Sequence, residues 1–175
     1  MLLISNHLSN YMDIPEDAVI RINMAWVHSK EELIRVIENI KDRDIYLDYP
    51  QGRSKPPTPT LKIKDAYELM RKYDHIKYFA VSNIETVQNI QKIKAQLPER
   101  VEFVPKIETR QGVDNINRII DCNIQTIMLD KEDLYVNVGN DNTEFFTLVD
   151  VMRKVCKNLK VTLLELEGVI FSEYK

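Results

Sequence analysis

The stretch VEFVPKIETRQGVDNINRIIDCNIQTIMLDKEDL, Val101 to Leu134, decides the reading of the fold. Val101, Phe103, Pro105 and Ile107 alternate with Glu102, Val104, Lys106 and Glu108. That is the period of a strand, and it puts Lys106 and Glu108 on one face near the C-terminal end. Val113, Ile116, Ile119 and Ile120 follow at helical spacing, and Ile124 to Leu129 is a second apolar run ending in Asp130, Lys131, Glu132 and Asp133. Two neighbouring strands of a parallel sheet would bring Glu108 and Asp133 to the same end, with Lys106 beside them. This is the outline of a Mg²⁺ site, since Mg²⁺ takes one or two protein carboxylates and fills its other positions with water and substrate oxygens; Mn²⁺ is the alternative ion. A structural account of the same residues stays open, with Lys106 and Glu108 as an internal salt bridge and Asp130 to Asp133 as a solvated turn.

Outward from this stretch the chain keeps alternating strand-like and helix-like segments. Met1 to Ser5 reads as a short strand and Asn6 to Glu16 as a loop. Ala18 to Asn23, AVIRIN, is a clearer strand with Arg21 and Asn23 on the face of Val19. Ser29 with Glu32 forms a capping box ahead of the apolar side Leu33, Ile34, Val36, Ile37 and Ile40. Ile45 to Asp48 is a strand, followed by the proline-dense loop RSKPPTPT, in which Arg53 and Lys55 belong to a solvated basic loop or meet an anionic substrate. Leu61 to Tyr73 is helical, Ile76 to Ser82 is a strand, and Asn83 is placed to cap the helix that carries Val87, Ile90, Ile93 and Leu97. Tyr135 to Thr143 reads as a polar loop. Phe145 to Leu159 reads as a helix with Phe146, Val149, Met152, Val155 and Cys156 inward, and Val161 to Leu166 as a strand with Glu165 near its end.

Repeating strand and helix argue for right-handed βαβ units and an α/β fold with a parallel sheet. Arg21, Asp48, Ser82, Lys106, Glu108, Asp130, Asp133 and Glu165 all fall at or just past strand C-termini, where a (β/α) barrel of TIM type gathers its active site. The expectation is one domain over residues 1–175, a barrel that is incomplete or open with about six to eight strands. Gly168 to Ser172 would be an abbreviated last strand. An open parallel edge invites pairing, so a homo-oligomer or a covering C-terminal tail is expected.

The bulk properties narrow the function classes. In 175 residues, 44% are hydrophobic, enough for one sizeable core. A net charge of −3 provides no basic footprint for nucleic acid, and the apolar runs are too short to cross a bilayer. Four glycines leave no Gly-rich phosphate cradle, neither G-x-G-x-x-G nor a P-loop. Cys122 and Cys156 have no metal or redox spacing and read as buried free thiols. With no basic and apolar leader at Met1, the expected location is the cytoplasm. His7, His28 and His75 are too scattered for a metal triad, and Trp26 is expected to pack under the capped helix.

KIETRQGVDNINRII followed by TIMLDKEDL resembles the barrel of pyruvate kinase, where a K-I-E strand end and a later G-D-L turn hold the metal and the enolate of pyruvate. It is also similar to the citrate lyase beta subunit and 2-oxo-acid aldolases, whose strands read I-E-T and S-D-L. Together they form a phosphoenolpyruvate- and pyruvate-handling barrel superfamily, from which this chain would be a truncated and divergent relative. The resemblance implies Glu108 and Asp133 as metal ligands and Lys106 at the developing negative charge. It places Arg21, from an R-x-N strand, at the carboxylate or phosphate of the substrate, so that Lys106 and Arg21 form the catalytic pair. Asn23, Asp48, Ser82 and Glu165 would surround the substrate. Glu165 stands where the kinase has threonine, and Glu132 and Tyr135 depart from the small residues of the family turn. The domain that the kinase inserts after the IYLD strand is replaced by about ten loop residues, so nucleotide-dependent kinase activity does not carry over.

Two functions follow. One is a Mg²⁺-dependent lyase or aldolase acting on a pyruvate- or phosphoenolpyruvate-like 2-oxo acid through an enolate. The other is a catalytically degenerate barrel that binds a ligand or serves in assembly. The first requires Glu108 and Asp133 to converge; the second predicts them paired off.

Overall fold

The computed structural model describes residues 3–4, 17–53 and 55–166. The expected loop at Asn6 to Glu16 and the abbreviated strand at Gly168 to Ser172 lie outside them. The chain is α/β, its paired strands are parallel, and it divides into two compact units. One comprises Met1–Ser82 and Gln91–Val104, the other Asn83–Ile90 and Pro105–Lys175.

The first unit holds β1 (Leu3–Ile4), β2 (Val19–Asn23), α1 (Lys30–Asn39), β3 (Ile45–Tyr49), α2 (Ile63–Lys72) and β4 (Ile76–Val81). β1 pairs with β2, β2 with β3 and β3 with β4, with Arg21 opposite Tyr46, Asn23 opposite Asp48, and Leu47 opposite Phe79. Parallel strands connected by helices are covered on both faces, so they carry continuous rather than alternating apolar residues. Neighbouring residues Val19 and Ile20, Tyr46 and Leu47, and Phe79 and Ala80, which point to opposite faces, are accordingly all buried. Leu33 and Ile37 of α1 and Ala66, Leu69 and Met70 of α2 complete this core. α1 starts where the sequence predicts: the Ser29 hydroxyl accepts from the Glu32 N–H at 3.1 Å, and the Glu32 carboxylate accepts from the His28 N–H at 2.8 Å. Trp26, expected to pack beneath this helix, is 59% exposed. It ends a 3-10 turn, Met24–Trp26, whose buried members are Met24 and Ala25.

α3 (Val87–Lys94) and β5 (Glu102–Ile107) each run from one unit into the other. The second unit then contains α4 (Arg110–Asp114), α5 (Ile116–Ile120), β6 (Thr126–Asp130), α6 (Lys131–Asn137), α7 (Asn142–Asn158) and β7 (Thr162–Leu166). β5 pairs with β6 through Lys106 opposite Met128 and Ile107 opposite Leu129, and β6 pairs with β7 along its whole length. Its core includes Ile107, Val113, Ile119, Ile127, Leu129, Leu134, Val149 and Met152.

Three local expectations are corrected here. Residues 131–137, read as a solvated turn and polar loop, form α6, because Asp130 caps it and Leu134 anchors it inward. Phe146, read as inward, is 63% exposed, and Leu148 takes the core position instead. Asn83 does not cap α3. The Thr86 hydroxyl accepts from the Asn89 N–H at 3.3 Å, while Asn83 lies three residues upstream in the left-handed region with φ 56°. No helix among the described residues is long and apolar enough to cross a membrane.

Candidate metal centre

The second unit gathers its charge at the C-terminal ends of β5 and β6. Lys106 and Glu108 come from the end of β5 and the residue after it; Asp130 ends β6, and Asp133 lies in the first turn of α6. One carboxylate oxygen from each of Glu108, Asp130 and Asp133 lies within 4.8 Å of the others. Lys106 Nζ stands 2.9 Å from Glu108 Oε1 and 3.7 Å from Asp130 Oδ2, with Lys106, Glu108 and Asp130 all buried. The Asn83 N–H donates to Glu108 Oε2 at 2.9 Å, and the Asp133 N–H to Asp130 Oδ1 at 3.3 Å. Burial pushes the Glu108 carboxyl above its ordinary range; the Lys106 ammonium and the Asn83 N–H draw it back, and Asp130 adds to the rise.

With Glu108, Asp130 and Asp133 as carboxylates and Lys106 as an ammonium, the formal charge would be −2, which a divalent cation would cancel. Opposite ligands of Mg²⁺ are ~4.2 Å apart when each bond is ~2.1 Å, so a spread of up to 4.8 Å closes onto the ion with side-chain rotation. Oxygen donors alone suit Mg²⁺ or Mn²⁺ and not a thiophilic metal. Mg²⁺ held by Glu108, Asp130 and Asp133 would act as a Lewis acid toward a chelated oxygen. Lys106 is tied to two of the three ligands, so a bound cation must share them with it or displace it.

Glu108 and Asp133, read as metal ligands, therefore converge, with Lys106 of β5 beside them. Asp130, which the sequence places among the strand-end charges but not among the ligands, joins them. Its signal was present, since an Asp three residues before Asp133 at a strand-to-helix junction is an N-cap pattern that turns its carboxylate back toward the helix N-terminus.

The other named residues have different settings. Arg21 and Asp48 are partners in the first unit, with Arg21 Nε 3.0 Å and Nη2 2.5 Å from Asp48 Oδ2. The Asn23 side chain accepts from the Ala25 N–H at 3.0 Å and caps the 3-10 turn. Ser82 is buried at the end of β4. Glu165, in the second unit, takes two bonds from Arg153 at 2.7 Å each and one from Lys131 at 3.1 Å, and the Arg153 guanidinium beside it holds its carboxyl down at about 2. Arg53, read as part of a solvated basic loop or as meeting an anionic substrate, donates to the carbonyls of Pro56 and Pro57 in its own loop. A cavity of about 460 Å³ lies against α6 and α7, lined by Lys131, Tyr135, Phe145, Phe146, Val149 and Arg153 among others; none of the three clustered carboxylates lines it.

Comparison with known proteins places the chain by fold only. No family model matches it, and no curated protein does. The crystal structure of RipC from Yersinia pestis is similar, with a TM-score of 0.65 and 11% identity over 97% of this chain and 76% of that one. At that identity the likeness is one of architecture. The resemblance to the phosphoenolpyruvate- and pyruvate-handling barrels is corrected accordingly. It rests on the short K-I-E and E-D-L runs alone, and no family model or curated protein of that superfamily matches the chain.

Proposed function

We propose that the second unit carries a Mg²⁺-dependent active site for a small 2-oxo acid, which it converts through an enolate in a lyase- or aldolase-type reaction. The observation that supports this is the convergence of Glu108, Asp130 and Asp133 beside a buried Lys106. A bound Mg²⁺ or Mn²⁺ would polarise the keto oxygen of the substrate. Lys106, beside Glu108 and Asp130, would supply positive charge to the oxygen on which the enolate charge develops. The buried setting strengthens that interaction relative to water. In the same proposal the fold is an incomplete (β/α) barrel, completed as a homo-oligomer, and the ligand is a phosphoenolpyruvate- or pyruvate-like anion that would chelate the ion through two oxygens.

A second reading is favoured by one observation. Arg21 with Asp48, and Glu165 with Arg153 and Lys131, are paired off, as a degenerate binding or assembly module would have them. Calorimetric titration of oxalate, a planar mimic of an enolised 2-oxo acid, decides between the two. Oxalate is expected to bind the parent only with Mg²⁺ present and not to bind Glu108→Gln. Absence of Mg²⁺-dependent binding to the folded parent would sink the enzymatic reading.

A further inference from the structure

The backbone between β4 and α3 passes through the left-handed region. Asn83 has φ 56°, in the left-handed region that non-glycine residues visit at a steric cost and that Asn tolerates better than most. The segment on either side of this residue is fixed from several directions. The Ile84 N–H donates to the Lys106 carbonyl at 3.1 Å. The Thr109 hydroxyl donates to Glu85 Oε1 at 2.8 Å, and Asn115 Nδ2 donates to the Glu85 carbonyl at 2.9 Å. Gly112 lets α4 lie directly against the segment, since a Cβ there would stand 2.9 Å from the Ile84 carbonyl oxygen. The product of this clamping is a single bond, from the Asn83 N–H to Glu108 Oε2 at 2.9 Å.

That bond has a geometric consequence for the carboxylate. Glu108 Oε2 accepts from the Asn83 N–H, while Oε1 lies 2.9 Å from Lys106 Nζ as an ion pair and has no hydrogen-bond donor of its own among the described residues. The Asn83 N–H is therefore the hydrogen bond that sets the rotation of the carboxylate and leaves Oε1 turned toward the cluster. Donors that orient a metal ligand in this way typically change metal affinity 10- to 100-fold when they are lost.

We infer that Asn83 is a positioning residue of the cation site, its left-handed backbone holding the N–H on Glu108 so that this carboxylate is preset for a divalent ion. This rests on the proposed cation site. It assigns a role to the main chain of Asn83, whose φ the residue type permits.

The experiment is a series at this position, Asn83→Gly, Asn83→Ala and Asn83→Val, measured by Mg²⁺ calorimetry and thermal unfolding. Glycine accepts φ 56° freely and should bind Mg²⁺ within about 2-fold of the parent. Alanine should weaken binding by about 10-fold and valine by more, since β-branched residues are rarely found at positive φ. If the valine variant does not fold, alanine against glycine carries the comparison. Alanine binding Mg²⁺ as the parent does, or glycine losing as much as alanine, overturns the inference. A metal-free readout separates its failure from failure of the site itself. In ¹H–¹⁵N spectra the Asn83 amide should be shifted downfield in the parent and move upfield in Glu108→Gln. An amide that does not move refutes the positioning bond, whereas a parent that binds no Mg²⁺ but shows the shift refutes only the metal.

Discussion

Replacing Glu165 with Gln tests how the last described strand is tied to its helices. Glu165 of β7 is held by a two-pronged pair from Arg153 of α7 and a third bond from Lys131 of α6. Its carboxyl sits at about 2 rather than 4.5. At about 1.4 kcal/mol per pK step, the full coupling is about 3.4 kcal/mol. The Arg153 side chain is 52% exposed and those of Lys131 and Glu165 are 26% and 21% exposed, so solvent screening reduces the expected contribution to about 1–2 kcal/mol. A carboxyl whose folded pKa is depressed stabilises above its unfolded value and loses that contribution as pH falls through the folded one. Urea unfolding should therefore show the variant about 1–2 kcal/mol less stable at pH 7, the gap narrowing below pH 4.5 and nearly closing at pH 2. Equal stability at pH 7, or a gap that does not change with pH, would refute the assignment of the low pKa to this triad.

Two further outcomes follow from the packing. Asp48→Ala leaves the Arg21 guanidinium buried without its acceptor and should cost about 3–5 kcal/mol in urea unfolding, while Arg21→Met with Asp48→Leu should recover most of it; equal loss in single and double variants would count against the pair as the cause. Gly112→Ala places a Cβ 2.9 Å from the Ile84 carbonyl and 3.1 Å from Ile107 Cγ2. It should destabilise by about 1–3 kcal/mol despite the better helix propensity of alanine, and unchanged thermal stability would show that α4 can move aside.

The strands were legible because parallel strands are apolar on both faces: IYLD, IKYFAVS and the run up to TIMLD announced β3, β4 and β6 within a residue or two. The convergence of Glu108 and Asp133 followed from the same logic, as neighbouring parallel strands end together. Alternation misled at β5, where Val104 and Lys106 are as buried as Phe103 and Pro105. α6 was hidden because its seven residues, KEDLYVN, bury only Leu134 and so show almost no apolar stripe. Phe146 was misjudged because the buried stripe of α7 runs through Leu148, Val149, Met152 and Cys156 and leaves Phe146 off it. The Asn83 bond could not be read at all, because it is made by backbone and depends on a dihedral angle that the residue type permits but does not announce.

Cys156 adds a kinetic property to the second unit. Its side chain is fully enclosed on α7, and burial pushes the thiol up to about 11, so it is neither accessible nor ionised while the helix is seated. A thiol reagent can then modify it only during excursions that lift α7 away from the core. The labelling rate of this one sulfur is therefore a built-in clock for the opening of α7.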